Sequence, residues 1–71
     1  MQINEKIKKA REKANMTQKE LAEKMNTTQQ QIWKYEKGKQ DITAARLKDL
    51  CKICKVSADW ILETGEYSLE N

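Results

Sequence analysis

The sequence predicts a compact, all-α domain of five helices, and three observations carry that prediction. Helix-forming residues dominate the composition, chiefly Leu, Ala, Lys, Glu, Gln and Met. Strand signals are scarce, because the chain has no Phe, no alternating Val/Ile/Thr run and no Asn-Gly or Asp-Gly pair. Without proline, only Gly38 and Gly65 are strong breaks. The 71 residues leave room for one small core, so a single domain is expected over residues 1–65.

The first helix is expected from about residue 3 to residue 14. On a helical wheel with 100° per residue, its apolar residues share one side; they are Ile3, Ile7, Ala10 and Ala14. Arg11 falls on the same side, so the core-facing surface carries a permanent charge. Lys6 and the other lysines fall outside this arc and are expected at the surface. Asn15 can end the helix because asparagine tolerates the left-handed conformation.

The second helix, over residues 17–25, begins with a capping box. The Thr17 hydroxyl can accept from the Glu20 backbone N–H, while the Glu20 carboxylate accepts from the backbone N–H of Thr17. Its buried stripe is Leu21, Ala22 and Met25. The turn that follows has no glycine, so Asn26 is expected to take the left-handed conformation.

The third helix, over residues 28–37, repeats this arrangement with Thr28 as N-cap and Gln31 three residues later. One side of its wheel, expected to face the core, holds Thr28, Ile32, Tyr35 and Glu36. The opposite side holds Gln29, Gln30, Trp33, Lys34 and Lys37. Gly38 is well placed to end the helix.

Arg11 and Glu36 are opposite charges on the core-facing edges of two helices. We therefore expect a bidentate ion pair that links the first helix to the third. Such a pair adds little net stability, but removing one partner typically costs about 3–5 kcal/mol because the other charge is left without a partner.

The fourth helix is expected over about residues 43–55, after the loop 39–42. Its apolar arc contains Leu47, Leu50, Cys51 and Cys54. Ser57 should cap a short fifth helix that ends at Glu63 and carries Trp60, Ile61 and Leu62, which can belong to the core or to an interface. Gly65 stops it, and residues 66–71 are expected to form a loosely held tail.

Charge is distributed unevenly along the chain. Residues 1–40 carry ten Lys/Arg against five Asp/Glu, a balance of +5, whereas residues 41–71 carry four against six, a balance of −2. A basic half is what a phosphate-facing surface requires. Lysine-rich helix faces are also common on solvated surfaces, so charge alone leaves both interpretations open.

Two short helices joined by a tight turn, with glutamines projecting from the second, form a helix-turn-helix pattern. A glutamine amide offers a donor and an acceptor side by side, as needed to recognise a base edge in the major groove of DNA. Taken alone, Gln29, Gln30 and Gln31 also fit a solvated helix start, with Gln31 near the cap. Trp33 likewise fits an incidental, half-packed aromatic.

Several segments together resemble the Cro/repressor-type (XRE-like) helix-turn-helix family, which includes the lambdoid phage repressors. The likeness covers residues 3–65. The matching features are Arg11, T-Q-K-E-L-A at 17–22, T-T-Q-Q at 27–30, I-W-K-Y-E-K-G at 32–38 and V-S-A-D-W-I-L at 56–62.

The resemblance implies that the third helix enters the major groove while the second crosses the DNA backbone. It assigns base contacts to Gln29, Gln30, Trp33 and Lys34. It implies phosphate contacts for Gln18, which also supports the first residue of the recognition helix, and for Lys37 and Lys39. The Arg–Glu brace of the family falls on Arg11 and Glu36, in agreement with the wheel.

The chain departs from the family pattern in two places. Many members have a proline in the loop after the glycine, where this sequence has Gln40-Asp41-Ile42, which puts the phosphate contacts of that loop in question. Trp33 is large for a position that is often small or polar. It can pack on a thymine methyl group, widen the distance from the groove, or contact a partner chain.

Other functional classes find little support. No signal peptide and no apolar run of about 20 residues is present, which favours a cytoplasmic protein without a membrane partner. Cys51 and Cys54 are then expected to be reduced core residues rather than a zinc or redox site, since no second Cys/His pair exists. The chain has no histidine, and no nucleophile–base pair suggests an enzyme. No cofactor or metal is expected.

The sequence therefore predicts a sequence-specific, DNA-binding transcriptional regulator of prophage repressor type. It is expected to bind a pseudo-palindromic operator as a weak homodimer, with the two-fold axis near the fourth and fifth helices. The alternative is a protein-interaction module, such as an antitoxin, that uses the same fold mainly to bind a partner protein. Exposed Trp33 and a tail bearing Tyr67 and Leu69 are the features that favour it.

Overall fold

A computed structural model describes residues 2–62, and the all-α prediction is confirmed there, with five helices and no strand. The helices are α1 (Ile3–Lys13), α2 (Gln18–Lys24), α3 (Gln29–Lys37), α4 (Ala44–Cys54) and α5 (Ala58–Leu62). The predicted end of the fifth helix at Glu63, its stop at Gly65 and the tail 66–71 lie outside the described residues.

Hydroxyl side chains begin four of the five helices. Thr17, Thr28, Thr43 and Ser57 each accept from the backbone N–H three residues later, at 3.0–3.2 Å. In α2 the Glu20 carboxylate also accepts from the Thr17 backbone N–H at 2.8 Å, which completes the predicted capping box. In α3 the Thr28 hydroxyl accepts from the Gln31 backbone N–H, but the Gln31 side chain makes no return bond to the Thr28 backbone N–H. The predicted capping box is therefore only half formed there.

The turns use the residues that the sequence singles out. Asn15 and Asn26 have φ values of 58° and 59°, and Gly38 ends α3 with φ 73°. Lys55 takes the same left-handed conformation at the end of α4, with φ 58°, and nothing in its side chain predicts this. A non-glycine residue there costs about 1–2 kcal/mol, which the packing of α4 has to offset.

The core lies where α1 packs against α3, α4 and α5, while α2 packs mainly on α3. Its fully buried large side chains are Ile7, Leu21, Ile32, Leu50 and Ile61. Cys54 is buried and Cys51 half-buried, both as free thiols, and burial raises the pKa of each. Raised pKa values leave both thiols protonated at neutral pH, as suits core residues.

Two predictions about burial were wrong. Lys6, expected at the surface, is only 8% exposed, and its Nζ donates to the Trp60 carbonyl at 2.7 Å while lying 4.6 Å from the centre of the Trp60 ring. Its carbon chain is covered by α5, which the wheel of α1 alone does not reveal. Thr28, placed on the buried arc, is exposed because an N-cap residue has extended backbone and does not follow the helical wheel.

The fifth helix divides its apolar residues between core and surface. Ile61 is fully buried, whereas Trp60 and Leu62 are half-buried. Within residues 2–62, no helix combines the length and the apolar character that crossing a bilayer requires.

Candidate nucleic-acid interface

The helix α2, the turn after it and α3 form the predicted helix-turn-helix. Asn26, in the left-handed conformation, reverses the chain direction, and the Thr27 backbone N–H donates to the Ala22 carbonyl at 2.9 Å. This bond satisfies a carbonyl group in the last turn of α2, and no glycine is needed there. The turn delivers Thr28 directly as the N-cap of α3.

One side of α3 is exposed and the other is buried. Gln29, Gln30 and Lys37 are exposed, and Lys34 is half-buried. Trp33, at 39%, is the one exposed large hydrophobic side chain among residues 2–62. The opposite side carries the buried residues Ile32, Tyr35 and Glu36. Every residue for which base contacts are predicted therefore reaches the accessible side of α3.

A buried ion pair fixes α3 relative to α1. Arg11 Nε donates to Glu36 Oε2 at 2.7 Å and Nη2 donates to Oε1 at 3.1 Å, with the side chains 12% and 3% exposed. Arg11 Nη1 donates to the Met16 carbonyl at 2.9 Å. The hydrogen bond to Glu36 raises the pKa of Arg11, so the guanidinium stays charged at any pH of interest. One side chain thus ties together α1, the turn before α2, and α3.

Gln18 extends this network to α2. Its Nε2 donates to Glu36 Oε1 at 3.0 Å, so the carboxylate accepts three bonds from two side chains. Gln18 also lines an open groove together with Gln29, Gln30 and Trp33. Within residues 2–62, the Gln18 side chain forms this hydrogen bond to Glu36 and forms none to Gln29.

A second groove lies between α1 and α3. Gln18 and Trp33 line it as they line the first, and Lys37, Lys8 and Lys9 add three lysines to its wall. The two grooves therefore share a border. The exposed lysines of α1 were not predicted as site residues, because on the wheel they look like any solvated surface.

The predicted loop lysine follows the end of α3. Lys39 is exposed, and its backbone N–H donates to the Lys34 carbonyl at 2.9 Å. Where the family often has proline, Ile42 packs against the core and anchors the loop, while Asp41 is exposed. The Lys39 side chain therefore projects from a segment held at both ends.

Two hydrogen bonds that hold the helices together were not predicted from the sequence. Arg46 Nη1 on α4 donates to the Met25 carbonyl at 2.6 Å, which satisfies the last turn of α2. Asn4 Nδ2 on α1 donates to the Glu36 carbonyl at 3.1 Å. Both bonds join residues more than 20 positions apart, so no local pattern indicates them.

The same residues match a known family. The helix-turn-helix family matches residues 7–61 of this chain. The HTH-type transcriptional regulator ImmR of Bacillus subtilis (strain 168) is 37% identical over 71 residues, which are 100% of this chain and 56% of that protein.

Two further relatives carry similar names. The uncharacterized HTH-type transcriptional regulator y4wC of Sinorhizobium fredii is 38% identical over 61 residues, 86% of this chain and 43% of that protein. An uncharacterized transcriptional regulator in the ATPase CF(0) region of Rhodospirillum rubrum is 33% identical over 67 residues, 90% of this chain and 62% of that protein.

The chain spans between 43% and 62% of the length of these three relatives. The matched segment, residues 7–61, includes α2, the turn and α3 together with the Arg11–Glu36 pair. The chain belongs to the helix-turn-helix family of Cro/repressor (XRE-like) type, as its motifs implied.

Proposed function

We propose that this protein is a sequence-specific, DNA-binding transcriptional regulator of prophage repressor type. The observation that carries the proposal is the accessible side of α3, where Gln29, Gln30, Trp33 and Lys34 lie together on a helix held by the buried pair Arg11–Glu36. A rigid helix with amide side chains on its outer side suits recognition in the major groove.

Each of these side chains offers a different contact to a base. Gln29 and Gln30 can donate to adenine N7 and accept from adenine N6 through one amide. Lys34 can donate to guanine O6 or N7. Trp33, beside Gln29 and Gln30 in the groove, can cover a thymine methyl group.

Gln18, Lys37 and Lys39 are proposed to bind the DNA phosphates on either side of the major groove. Gln18 is the first residue of α2, at the end of the helix whose dipole favours an anion. Lys37 and Lys39 flank Gly38 at the other end of the recognition helix. Phosphate contacts of this kind set the orientation of the protein without recognising sequence.

Selection of bound duplexes from a random DNA pool tests the proposal. An enriched, two-fold symmetric sequence is expected, with half-sites about 34 Å apart. A protein that enriches no sequence, yet binds all duplexes with equal affinity, is not a sequence-specific regulator.

Mutation should separate base recognition from phosphate binding. Gln30→Ala is expected to cost about 1–3 kcal/mol against the selected site and to relax preference at one base position. Lys37→Ala is expected to weaken binding to every sequence by a similar factor, because a phosphate contact carries no base information. Affinities of both variants for the selected duplex and for single-base variants check this.

Lys24→Ala is the matched control, since Lys24 is an exposed lysine at the last residue of α2 and lines neither groove. It should leave affinity and preference unchanged. If Gln30→Ala and Lys37→Ala reduce affinity for all sequences alike, α3 is not the recognition helix.

The proposed regulator binds its operator as a weak homodimer whose two-fold axis lies near α4 and α5. One helix-turn-helix contacts a single half-site, and pairing supplies the second. Half-buried Trp60 and Leu62 are the apolar side chains that α5 offers on that side. Sedimentation with a full operator duplex should give two chains per duplex at saturation, and one chain per duplex would contradict this.

A protein-interaction module such as an antitoxin is the second candidate, and the exposure of Trp33 favours it. An exposed aromatic side chain is a common anchor in protein interfaces. Trp33→Ala separates the two proposals. Loss of operator binding alone supports DNA recognition, whereas loss of a stable complex with an unrelated chain, with operator binding intact, supports the alternative.

A further inference from the structure

We propose that Glu36, besides bracing two helices, is a positioning residue for DNA recognition, because it sets the direction of the Gln18 amide. This inference rests on the proposed function. In the proposed arrangement Gln18 turns its amino group toward Glu36 and its carbonyl oxygen toward the groove lined by Gln29, Gln30 and Trp33. Glu36 thereby decides which chemical group the start of α2 presents to the DNA.

The direction follows from what a carboxylate can accept. An ionised carboxylate has no proton to donate, so the Gln18 atom that lies 3.0 Å from Glu36 Oε1 has to be the amino nitrogen. A reversed amide would place two oxygen atoms against each other. The Glu36 side chain is only 3% exposed, so little water is present to relieve that repulsion.

The remaining bonds of Glu36 leave the amide no alternative. Arg11 donates to both carboxylate oxygens, at 2.7 and 3.1 Å, and its guanidinium has no acceptor. The carboxylate is held in one plane by this pair. Gln18 is therefore the one partner of Glu36 whose side chain could point either way.

The position of Glu36 decides which way the Gln18 carbonyl oxygen faces. Glu36 lines the groove between α1 and α3, and it does not line the groove formed by Gln18, Gln29, Gln30 and Trp33. An amide that turns its nitrogen toward Glu36 turns its oxygen away from Glu36. One N–H of Gln18 stays available for a phosphate, and the oxygen becomes an acceptor beside the base-recognising glutamines.

Two substitutions test the proposal from opposite sides. Glu36→Gln replaces an acceptor by a group that can also donate, so Gln18 is free to adopt both directions. Gln18→Lys keeps N–H donors for Glu36 and for the phosphate, but removes the carbonyl oxygen. The measurement is the ratio of affinities for the selected duplex and for a single-base variant at the position that Gln29 contacts.

We expect each substitution to lower this ratio about tenfold, toward the lower end of the range for one base contact. In a Gln18→Ala background, Glu36→Gln should cause no further loss of discrimination, because Glu36 acts through Gln18. Asn4→Ala is the matched structural control, since it removes a bond to the Glu36 backbone and leaves the carboxylate alone. It should lower the melting temperature and leave the ratio unchanged.

A folded Glu36→Gln variant with undiminished discrimination would overturn the proposal, as would an equal loss in the Gln18→Ala background. If Glu36→Gln does not fold, Gln18→Lys decides, and unchanged discrimination there overturns it too. A parent protein that prefers no DNA sequence would refute the proposed function and this inference together. A parent with clear preference that neither substitution alters refutes the inference alone.

Discussion

Arg11→Ala is expected to lower the free energy of unfolding by about 3–5 kcal/mol, because it leaves the buried Glu36 carboxylate without its charged partner. The free energy of unfolding of a domain of this size is itself only about 5 kcal/mol. The variant should therefore be largely unfolded at 37 °C, and chemical or thermal denaturation followed by circular dichroism measures the change.

The size of the effect comes from what remains after the substitution. Glu36, which is 3% exposed in the intact pair, would keep only the Gln18 bond, and the Met16 carbonyl would lose its partner. A buried charge without a partner costs far more than the intact pair contributes. The loss therefore reflects the uncompensated carboxylate more than the strength of the ion pair.

Two controls make this prediction specific. Lys8→Ala changes an exposed residue on the same helix and should alter stability by less than about 0.5 kcal/mol. The double variant Arg11→Met with Glu36→Leu removes both charges and should recover most of the stability lost in Arg11→Ala. An Arg11→Ala protein as stable as the parent, yet defective in DNA binding, would mean that Arg11 contacts phosphate and is no brace.

Operator affinity is expected to fall steeply with salt, at a log–log slope of about −0.9 for each phosphate that a lysine neutralises. With Lys37 and Lys39 in each of two protomers the slope should be about −3.6, which is about 150-fold between 50 and 200 mM salt. Titrations of a labelled operator duplex across that range measure it. The physical reason is the release of counterions from the DNA.

Lys37→Gln should make the slope less steep by about 1.8, because each of two protomers loses one neutralised phosphate. Lys24→Gln, at the exposed last residue of α2, is the control and should leave the slope unchanged. Affinity that hardly changes between low and physiological salt would contradict the proposal that α3 lies in the major groove with Lys37 and Lys39 on the DNA phosphates.

The sequence by itself determined the local structure, because capping and helical periodicity act over three or four residues. Thr17 with Glu20, the left-handed Asn15 and Asn26, and Gly38 after α3 could all be predicted from neighbouring residues. The family resemblance supplied the side of α3 that we propose recognises bases, and the exposure of that side in the structure agrees with the wheel.

The proximity of Arg11 and Glu36 was also within reach of the sequence. Each is a charge on the apolar side of an amphipathic helix, and such a charge requires a partner. Only one opposite charge was placed to supply it. The bidentate geometry then follows from the fork of the guanidinium.

The tertiary structure alone decided how the helices are held against each other. The Lys6–Trp60, Arg46–Met25 and Asn4–Glu36 bonds each join a side chain to a backbone carbonyl far away in sequence. Every residue offers such a carbonyl, so the sequence carries no mark of which one is chosen. The Gln18–Glu36 bond joins two side chains, and it also depends on the tertiary structure, because packing of α2 on α3 brings those side chains within reach.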